Sequence, residues 1–186
     1  LVPAPPTITK DFSPNPIGVN GVSTLTFTIT NPNSSASLSG VTFDDNLPTN
    51  VQVAGTPNAT ASAACGSPTW SPASGSTALS FSNGTIAGGA VCTVTVDVIG
   101  LAAGPYTNIT DFISATESGE NNTSTGSATD TLTVLAPPTI SKLFSPNPIL
   151  ENGISTLTFT ILNPNQNDQI AGVAFADTFP AGMVIA

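Results

Sequence analysis

The segment VSTLTFTIT, residues 22–30, alternates apolar and hydroxyl side chains without interruption. Leu25, Phe27 and Ile29 fall on one face of an extended chain, and threonines fall on the other. This two-residue period predicts a β-strand that places one face in a core. The segment VCTVTVDVIG, residues 91–100, shows the same alternation and predicts a second strand of this kind.

Further short strands are predicted on both sides of these two, and no segment shows a helical period of 3.6 residues. Prolines in SPNP, residues 13–16, and in NPN, residues 31–33, predict the ends of strands, because proline cannot continue a central ladder. Short strands separated by frequent turns predict an all-β chain with a β-sandwich fold. The further candidate strands lie near residues 6–10, 39–43, 50–54, 78–82, 106–115 and 127–134.

The beginning of the chain recurs later in the sequence. Residues 4–54 align without a gap with residues 136–186, and 30 of the 51 positions are identical. Such identity indicates a tandem duplication of whole domains. We therefore predict the tail of a preceding repeat at residues 1–3, a complete repeat at 4–135 and the N-terminal part of a second, incomplete repeat at 136–186.

The proline-rich joint between the two copies and the incomplete second copy both bear on assembly. LAPPT, residues 135–139, predicts an extended, semi-rigid connection. A partial sandwich exposes unpaired strand edges and apolar faces, which is unfavourable in isolation. We expect the missing strands to come either from a continuation of the same chain or from another chain by β-augmentation.

The charge balance excludes one class of partner. The chain has two lysines, no arginine and eleven aspartates and glutamates, which gives it a net charge of -9. A chain with so few cations cannot neutralise a row of phosphates, so we expect no nucleic-acid binding. No apolar run is long enough to cross a bilayer, so this segment is not expected to insert directly into a membrane.

The residue types also argue against an enzyme. The chain has no histidine, which removes Ser-His and Cys-His nucleophiles and the ordinary zinc sites. No glycine-rich phosphate loop is present, and no acidic pair stands in an apolar, aromatic-lined setting. We predict a non-enzymatic protein without a cofactor, with bound calcium as the open alternative.

Cys65 and Cys92 are the two cysteines of the chain. They lack the four ligands of a structural zinc site and the C-x-x-C spacing of redox enzymes. A disulfide is the first interpretation, and two buried free thiols are the alternative. A disulfide would place the protein outside the reducing cytosol.

Three aspartates suggest a calcium site. Asp44 and Asp45 lie at a strand end, and Asp45 recurs as Asp177 in the second copy. Carboxylate oxygens at such a place can bind calcium. The alternative is that the carboxylate caps its own turn by accepting hydrogen bonds from backbone amides.

The two lysines, Lys10 and Lys142, occupy the same position in the two copies. Strand parity directs Lys10 inward from the first strand and Asp130 inward from the last. This arrangement resembles domains that form an autocatalytic Lys to Asn/Asp isopeptide bond, with Glu117 as a candidate for the protonated carboxyl that assists. A partly buried ion pair, or a lysine that extends to solvent, is the alternative.

Six Asn-X-Ser/Thr sequons are candidate sites of N-glycosylation, although a chain rich in these residues generates sequons by chance. They begin at Asn33, Asn58, Asn83, Asn108, Asn121 and Asn122.

The succession of APPTITKDFSPNPI, NGVSTLTFTITNPN, LSGVTFDDNLP and YTNITDFISATESG resembles the long tandem repeats of bacterial and archaeal cell-surface proteins. The repeated domain in that family has an Ig-like β-sandwich fold and no known function. The resemblance implies an extracellular, secreted or cell-surface structural protein without catalytic residues, whose partners are neighbouring copies of the same repeat. We predict a rigid surface stalk or a self-assembling filament or sheath. The alternative is an adhesin or carbohydrate-binding arm, although one Trp and one Tyr provide few surfaces for sugar stacking.

Overall fold

The computed structural model describes residues 2–186, and its regular structure is almost entirely β. The one helical element in that range is a short 3-10 helix at Ala63–Cys65. None of the described helical structure has the length and apolarity to span a bilayer. In chain order the strands are β1 Thr7–Ser13, β2 Ile17–Gly18, β3 Val22–Thr30, β4 Leu38–Asn46, β5 Val51–Val53, β6 Thr60–Ala61, β7 Ala78–Ile86, β8 Val91–Gly100, β9 Gly104–Ile109, β10 Ser114–Ala115, β11 Gly119–Glu120, β12 Thr129–Leu135, β13 Thr139–Ser145 and β14 Thr156–Leu162.

The chain divides into two compact units, Leu1–Leu135 and Ala136–Ala186. In the first unit, β1, β3, β8 and β5 form one sheet in that order, and β6 also pairs with β8. The opposite layer contains β4 with its neighbours β7 and β10, and β12 with its neighbours β2 and β9. A bridge between Asp45 and Thr110 connects these two groups of strands. The predicted all-β class and sandwich architecture are confirmed.

The core lies between the two layers and follows the alternation of the strands. Leu25, Phe27 and Ile29 of β3 are all fully buried, as their spacing predicts. The Phe27 ring lies 4.9 Å from that of Phe43 on β4, and Phe43 stacks on Phe81 of β7 at 5.5 Å. Burial of each such ring stabilises the fold by about 1.5 to 3 kcal/mol. The aromatic contacts therefore hold the two layers together.

Two of the main strands match their predicted bounds, whereas β1, β4 and β7 continue beyond the predicted residues 6–10, 39–43 and 78–82. β3 and β8 have the predicted bounds, and β3 ends at Thr30, immediately before the NPN segment. β1 ends at Ser13, where SPNP begins. The predicted strand at residues 106–115 is instead divided between β9 and β10. The two-residue strands β2, β6 and β11 were not predicted, because two residues carry no periodic pattern.

The first and last strands of this unit progress in the same direction. Near the start of β1, Ile8 N donates a hydrogen bond to Thr125 O, just before β12. Beyond the end of β1, β2 pairs in parallel with β12, so that Ile17 lies opposite Val134. The chain therefore enters the first unit at one end and leaves it at the other.

The second unit contains the antiparallel pair β13 and β14. Lys142 lies opposite Phe159, in the same register as Lys10 opposite Phe27 in the first unit. The Phe159 ring contacts Phe175 at 4.8 Å. The second unit thus repeats the pairing of β1 with β3.

Candidate functional site

The first unit contains a buried lysine with two polar partners. Lys10 lies on β1 between Ile8 and Phe12, both of which are buried, and its own side chain has no exposed surface. Lys10 Nζ donates to both carboxylate oxygens of Asp45 at 3.2 Å and to Asn108 Oδ1 at 2.5 Å. The inward direction predicted for Lys10 is therefore found.

Asp45 faces inward because of an irregularity in β4. The pairing of β4 with β7 shifts between Leu38 and Val41, where Gly40 has a φ of +58°. Glycine adopts this left-handed conformation without the steric penalty that a side chain would bring. Beyond the bulge, Val41, Phe43 and Asp45 all point into the core. If β4 were regular and Leu38 still pointed into the core, Asp45 would point towards solvent, because the two residues are an odd number of positions apart.

Asn108 comes from β9, where it is 1% exposed while the next residue, Ile109, is 60% exposed. Asn108 Nδ2 donates to Asp45 Oδ1 at 2.8 Å and to the backbone oxygen of Asn46 at 3.0 Å. Lys10, Asp45 and Asn108 therefore form a closed triangle of hydrogen bonds inside the sandwich. The sequence marked Asn108 only as a sequon, and its role beside Lys10 was missed.

Burial changes the proton affinities within this triangle. Removal of Lys10 from water lowers the pKa of its amine, and the attraction of Asp45 opposes that change only in part. Removal of Asp45 from water raises the pKa of its carboxyl, against the opposing effects of Lys10 and the hydrogen bond from Asn108. Both shifts favour the uncharged forms of the two groups. The Phe27 ring, whose centroid lies 5.5 Å from Lys10 Nζ, forms part of this apolar surrounding.

The structure corrects the predicted partners of Lys10. Asp130 Oδ2 accepts a hydrogen bond from Phe12 N at 2.9 Å, and its Oδ1 accepts one from Thr131 N at 2.8 Å. Asp130 thus satisfies backbone donors at the edge of β1 instead of the lysine. Glu117 lies at the surface and accepts hydrogen bonds from Ser39. The polar partners of Lys10 are Asp45 and Asn108, and neither Asp130 nor Glu117 is hydrogen-bonded to it.

The predicted calcium site is also corrected. Asp45 points inward and binds Lys10, whereas Asp44 on the same strand points outward and is exposed. Asp177 accepts a hydrogen bond from Lys142 at 2.9 Å. Within residues 2–186, no three acidic or other metal-binding side chains come together. The turn-capping alternative does not describe Asp45 either, since its oxygens accept from side chains.

Cys65 and Cys92 are joined by a disulfide. Cys92 belongs to β8, and Cys65 ends the short helix after β6. Both residues are fully buried. The disulfide therefore connects the long segment between β5 and β7 to β8, an inner strand of one sheet.

The sequons differ in their exposure. Asn108 and Asn121 are 1% and 3% exposed, so neither can accept a glycan in the folded chain. The other four lie at or near the surface: Asn33, Asn58, Asn83 and Asn122.

The side chains that could stack on a sugar are engaged in packing. The indole of Trp70 lies edge-on to Phe27 at 5.9 Å, and its Nε1 donates to Thr95 O at 2.9 Å. Tyr106 packs against the core, and its hydroxyl donates to Ala102 O at 2.9 Å. Both rings are partly buried by this packing, which leaves less of their surface for sugar stacking.

Comparison with known proteins gives one family. A family model described as "Domain of unknown function (DUF7933)" matches residues 6–134 and again residues 138–186. No curated protein sequence matches the chain.

Several solved structures match the chain at low identity, and one of them, a pilin subunit, has a TM-score above 0.5. BcpA, the major pilin subunit of Bacillus cereus, is 14% identical with a TM-score of 0.54, and the match covers 76% of this chain and 44% of that chain. The bacterial hydrophobin BslA is 13% identical with a TM-score of 0.44, over 71% of this chain and 96% of that chain. The pilus backbone protein RrgB from Streptococcus pneumoniae is 14% identical with a TM-score of 0.40, over 56% of this chain and 50% of that chain. The chain spans less than half the length of the Bacillus pilin, and the likeness to that pilin is one of fold.

Proposed function

The chain belongs to the DUF7933 family of domains of unknown function, and we propose that it is a non-enzymatic structural protein of the cell exterior. Its sandwich units are joined in series, in a rigid surface stalk or in a self-assembling filament or sheath. Its partners are neighbouring copies of the same repeat, in the same chain or in other chains.

The path of the chain through the first unit is the observation that carries this proposal. β1 and β12 progress in the same direction, so the unit receives the chain at one end and releases it at the other. Units with this path can be added one after another without long return connections. The second family match, at residues 138–186, supports such a series.

Two further features favour a location outside the cytosol. The Cys65–Cys92 disulfide suits an oxidising compartment. Charged residues form only 7% of the chain, so its polarity comes mainly from uncharged side chains. The fold is also shared with a protein described as a major pilin subunit, which agrees with a role in assembly.

An adhesin arm is the second candidate, with binding carried by a different domain. Direct carbohydrate binding by the described units is less well supported, because Trp70 and Tyr106 are engaged in packing.

Electron microscopy of the native protein, purified from its cells, tests the proposal. Uniform filaments or sheaths built from this chain would support self-assembly, and beaded rods that project from cells would support the stalk. Compact monomers that neither assemble nor extend from a surface would overturn both. A glycan-binding assay on the same material tests the adhesin alternative. Specific, saturable binding would favour an adhesin over a purely structural protein.

A further inference from the structure

We propose that Lys10 and Asn108 become joined by an intramolecular amide bond, with Asp45 carrying protons between the two reacting nitrogens. The bond is a covalent modification of the first unit. It does not depend on whether the protein forms a stalk or a filament.

The positions of the three side chains carry this inference. Lys10 Nζ is in direct contact with the side-chain amide of Asn108. Asp45 Oδ1 lies 3.2 Å from Lys10 Nζ and 2.8 Å from Asn108 Nδ2. One carboxylate oxygen therefore touches both the attacking nitrogen and the nitrogen that must leave. A group that moves a proton from the first to the second needs this position.

The surroundings make the amine reactive. An ammonium ion has no free electron pair, so Lys10 must lose its proton before it can attack a carbonyl carbon. The Lys10 and Asp45 side chains are both fully buried, and burial favours the neutral amine and the neutral carboxyl over the ion pair. Burial lowers the pKa of Lys10 and raises that of Asp45, and both changes promote proton transfer from lysine to aspartate.

The reaction balances without an added reagent. The ammonium of Lys10 transfers a proton to Asp45, and the neutral Nζ attacks Cγ of Asn108. A bond forms between Nζ and Cγ, and the bond between Cγ and Nδ2 breaks. Asp45 passes its proton to Nδ2, so that this nitrogen leaves as ammonia, and Asp45 then takes up the second proton that Nζ releases as the amide forms. No atom changes its oxidation state.

Asn108 is favoured over Asp45 as the residue that is attacked. If Lys10 attacked Asp45, the site would lose its carboxyl group, and the neutral amide of Asn108 is a poor acid for the departure of hydroxide. With Asn108 as the electrophile, Asp45 stays free to act on both nitrogens. Asp130 is unsuited, because its carboxylate accepts hydrogen bonds from Phe12 and Thr131.

The bond would connect the two layers of the sandwich. Lys10 lies on β1, at the edge of one sheet, and Asn108 lies on β9 in the opposite layer. The two residues are 98 positions apart in sequence. A covalent connection there prevents β1 from separating from the unit when the chain is pulled or unfolded.

Intact-mass spectrometry of the reduced 186-residue chain is the first test. We expect a mass below that of the unmodified sequence by one ammonia molecule. Asp45→Asn and Asn108→Ala should each restore the unmodified mass, the first by removing the proton carrier and the second by removing the electrophile. Lys142→Ala is the matched control, because it removes the other lysine and should keep the loss of ammonia.

Trypsin locates the bond in the denatured, reduced protein. The chain has two sites for trypsin, after Lys10 and after Lys142. An unmodified chain gives the fragments 1–10, 11–142 and 143–186. An amide on Lys10 Nζ blocks the first cut, so we expect only the fragments 1–142 and 143–186.

Three results would overturn the proposal. The first is a parent chain of unmodified mass that is cut at both lysines. The second is a loss of one water molecule, which would identify a carboxyl group as the electrophile. The third is an Asn108→Ala variant that still loses ammonia. If a variant does not fold, the mass and the tryptic fragments of the parent chain still show whether the amide bond is present.

Discussion

Lys142 Nζ lies 2.9 Å from Asp177 Oδ1, and these side chains are 50% and 21% exposed. The equivalent pair in the first unit, Lys10 and Asp45, has no exposed side-chain surface. The two copies therefore place the same pair of lysine and aspartate in two different environments. Water screens the pair in the second unit, whereas the pair in the first unit depends on its own partners.

Removal of Lys10 should destabilise the first unit far more than removal of Lys142 destabilises any part of the chain. Lys10→Met leaves the buried Asp45 carboxyl without the nitrogen that pairs with it, and breaking a buried pair of this kind costs about 3 to 5 kcal/mol of unfolding free energy. Lys142→Met removes a solvent-exposed pair and should cost about 0 to 1 kcal/mol. Denaturant unfolding followed by the fluorescence of Trp70, the one tryptophan of the chain, measures the stability of the first unit.

A double variant controls for the change in shape. Lys10→Met combined with Asp45→Asn removes both ionisable groups. The amide oxygen of the new side chain at position 45 can still accept the hydrogen bond from Asn108 Nδ2. The double variant should therefore be more stable than Lys10→Met alone. Equal losses for Lys10→Met and Lys142→Met would contradict the difference in environment.

The sequence predicted the direction of Lys10 but not its partners. The alternation of Ile8, Lys10 and Phe12 places all three on one face, and the structure agrees. The partner Asp45 was missed because the predicted strand stopped at residue 43, whereas β4 continues to Asn46 and so carries the inward face of Val41 and Phe43 on to Asp45. One signal was available: Lys10 and Asp45 recur together as Lys142 and Asp177 at a constant spacing.

The burial of Asn108 could not have been predicted from the polarity of the residues around it. In the segment TNIT, hydrophobicity favours Ile109 for the core and Asn108 for the surface. The structure has the reverse, because the hydrogen bonds to Asp45 and Lys10 compensate for the burial of the amide. Local pattern cannot predict such a choice, since the compensating groups lie on strands far away in the sequence.

Loss of the disulfide should weaken the first unit measurably. Cys65 and Cys92 are 27 residues apart, and opening a loop of this size costs about 3.5 kcal/mol in the chain-entropy account. The variant Cys65→Ala with Cys92→Ala should therefore unfold at a lower denaturant concentration than the oxidised parent, as Trp70 fluorescence reports. Reduction of the parent should give a similar decrease. Identical midpoints for oxidised and reduced protein would contradict a stabilising role for this bridge.

Glu117 should contribute a stabilisation that disappears in acid. Ser39 donates from its hydroxyl and from its backbone N to the Glu117 carboxylate, and these hydrogen bonds lower the pKa of Glu117 below the ordinary value of 4.5. A carboxyl whose pKa is lower in the folded state stabilises the fold above the unfolded pKa. This stabilisation is lost as the pH falls through the folded pKa.

Glu117→Gln should thus be less stable than the parent at neutral pH, by less than about 1 kcal/mol because the group is exposed. The difference should shrink as the pH is lowered from 4.5, because the parent carboxyl becomes protonated there. Denaturant unfolding of both proteins across this range measures the change. Ser39→Ala is the control, since removal of the hydroxyl donor should reduce the same pH-dependent difference. A difference that stays constant from neutral to acid pH would show that the charge of Glu117 does not stabilise the fold.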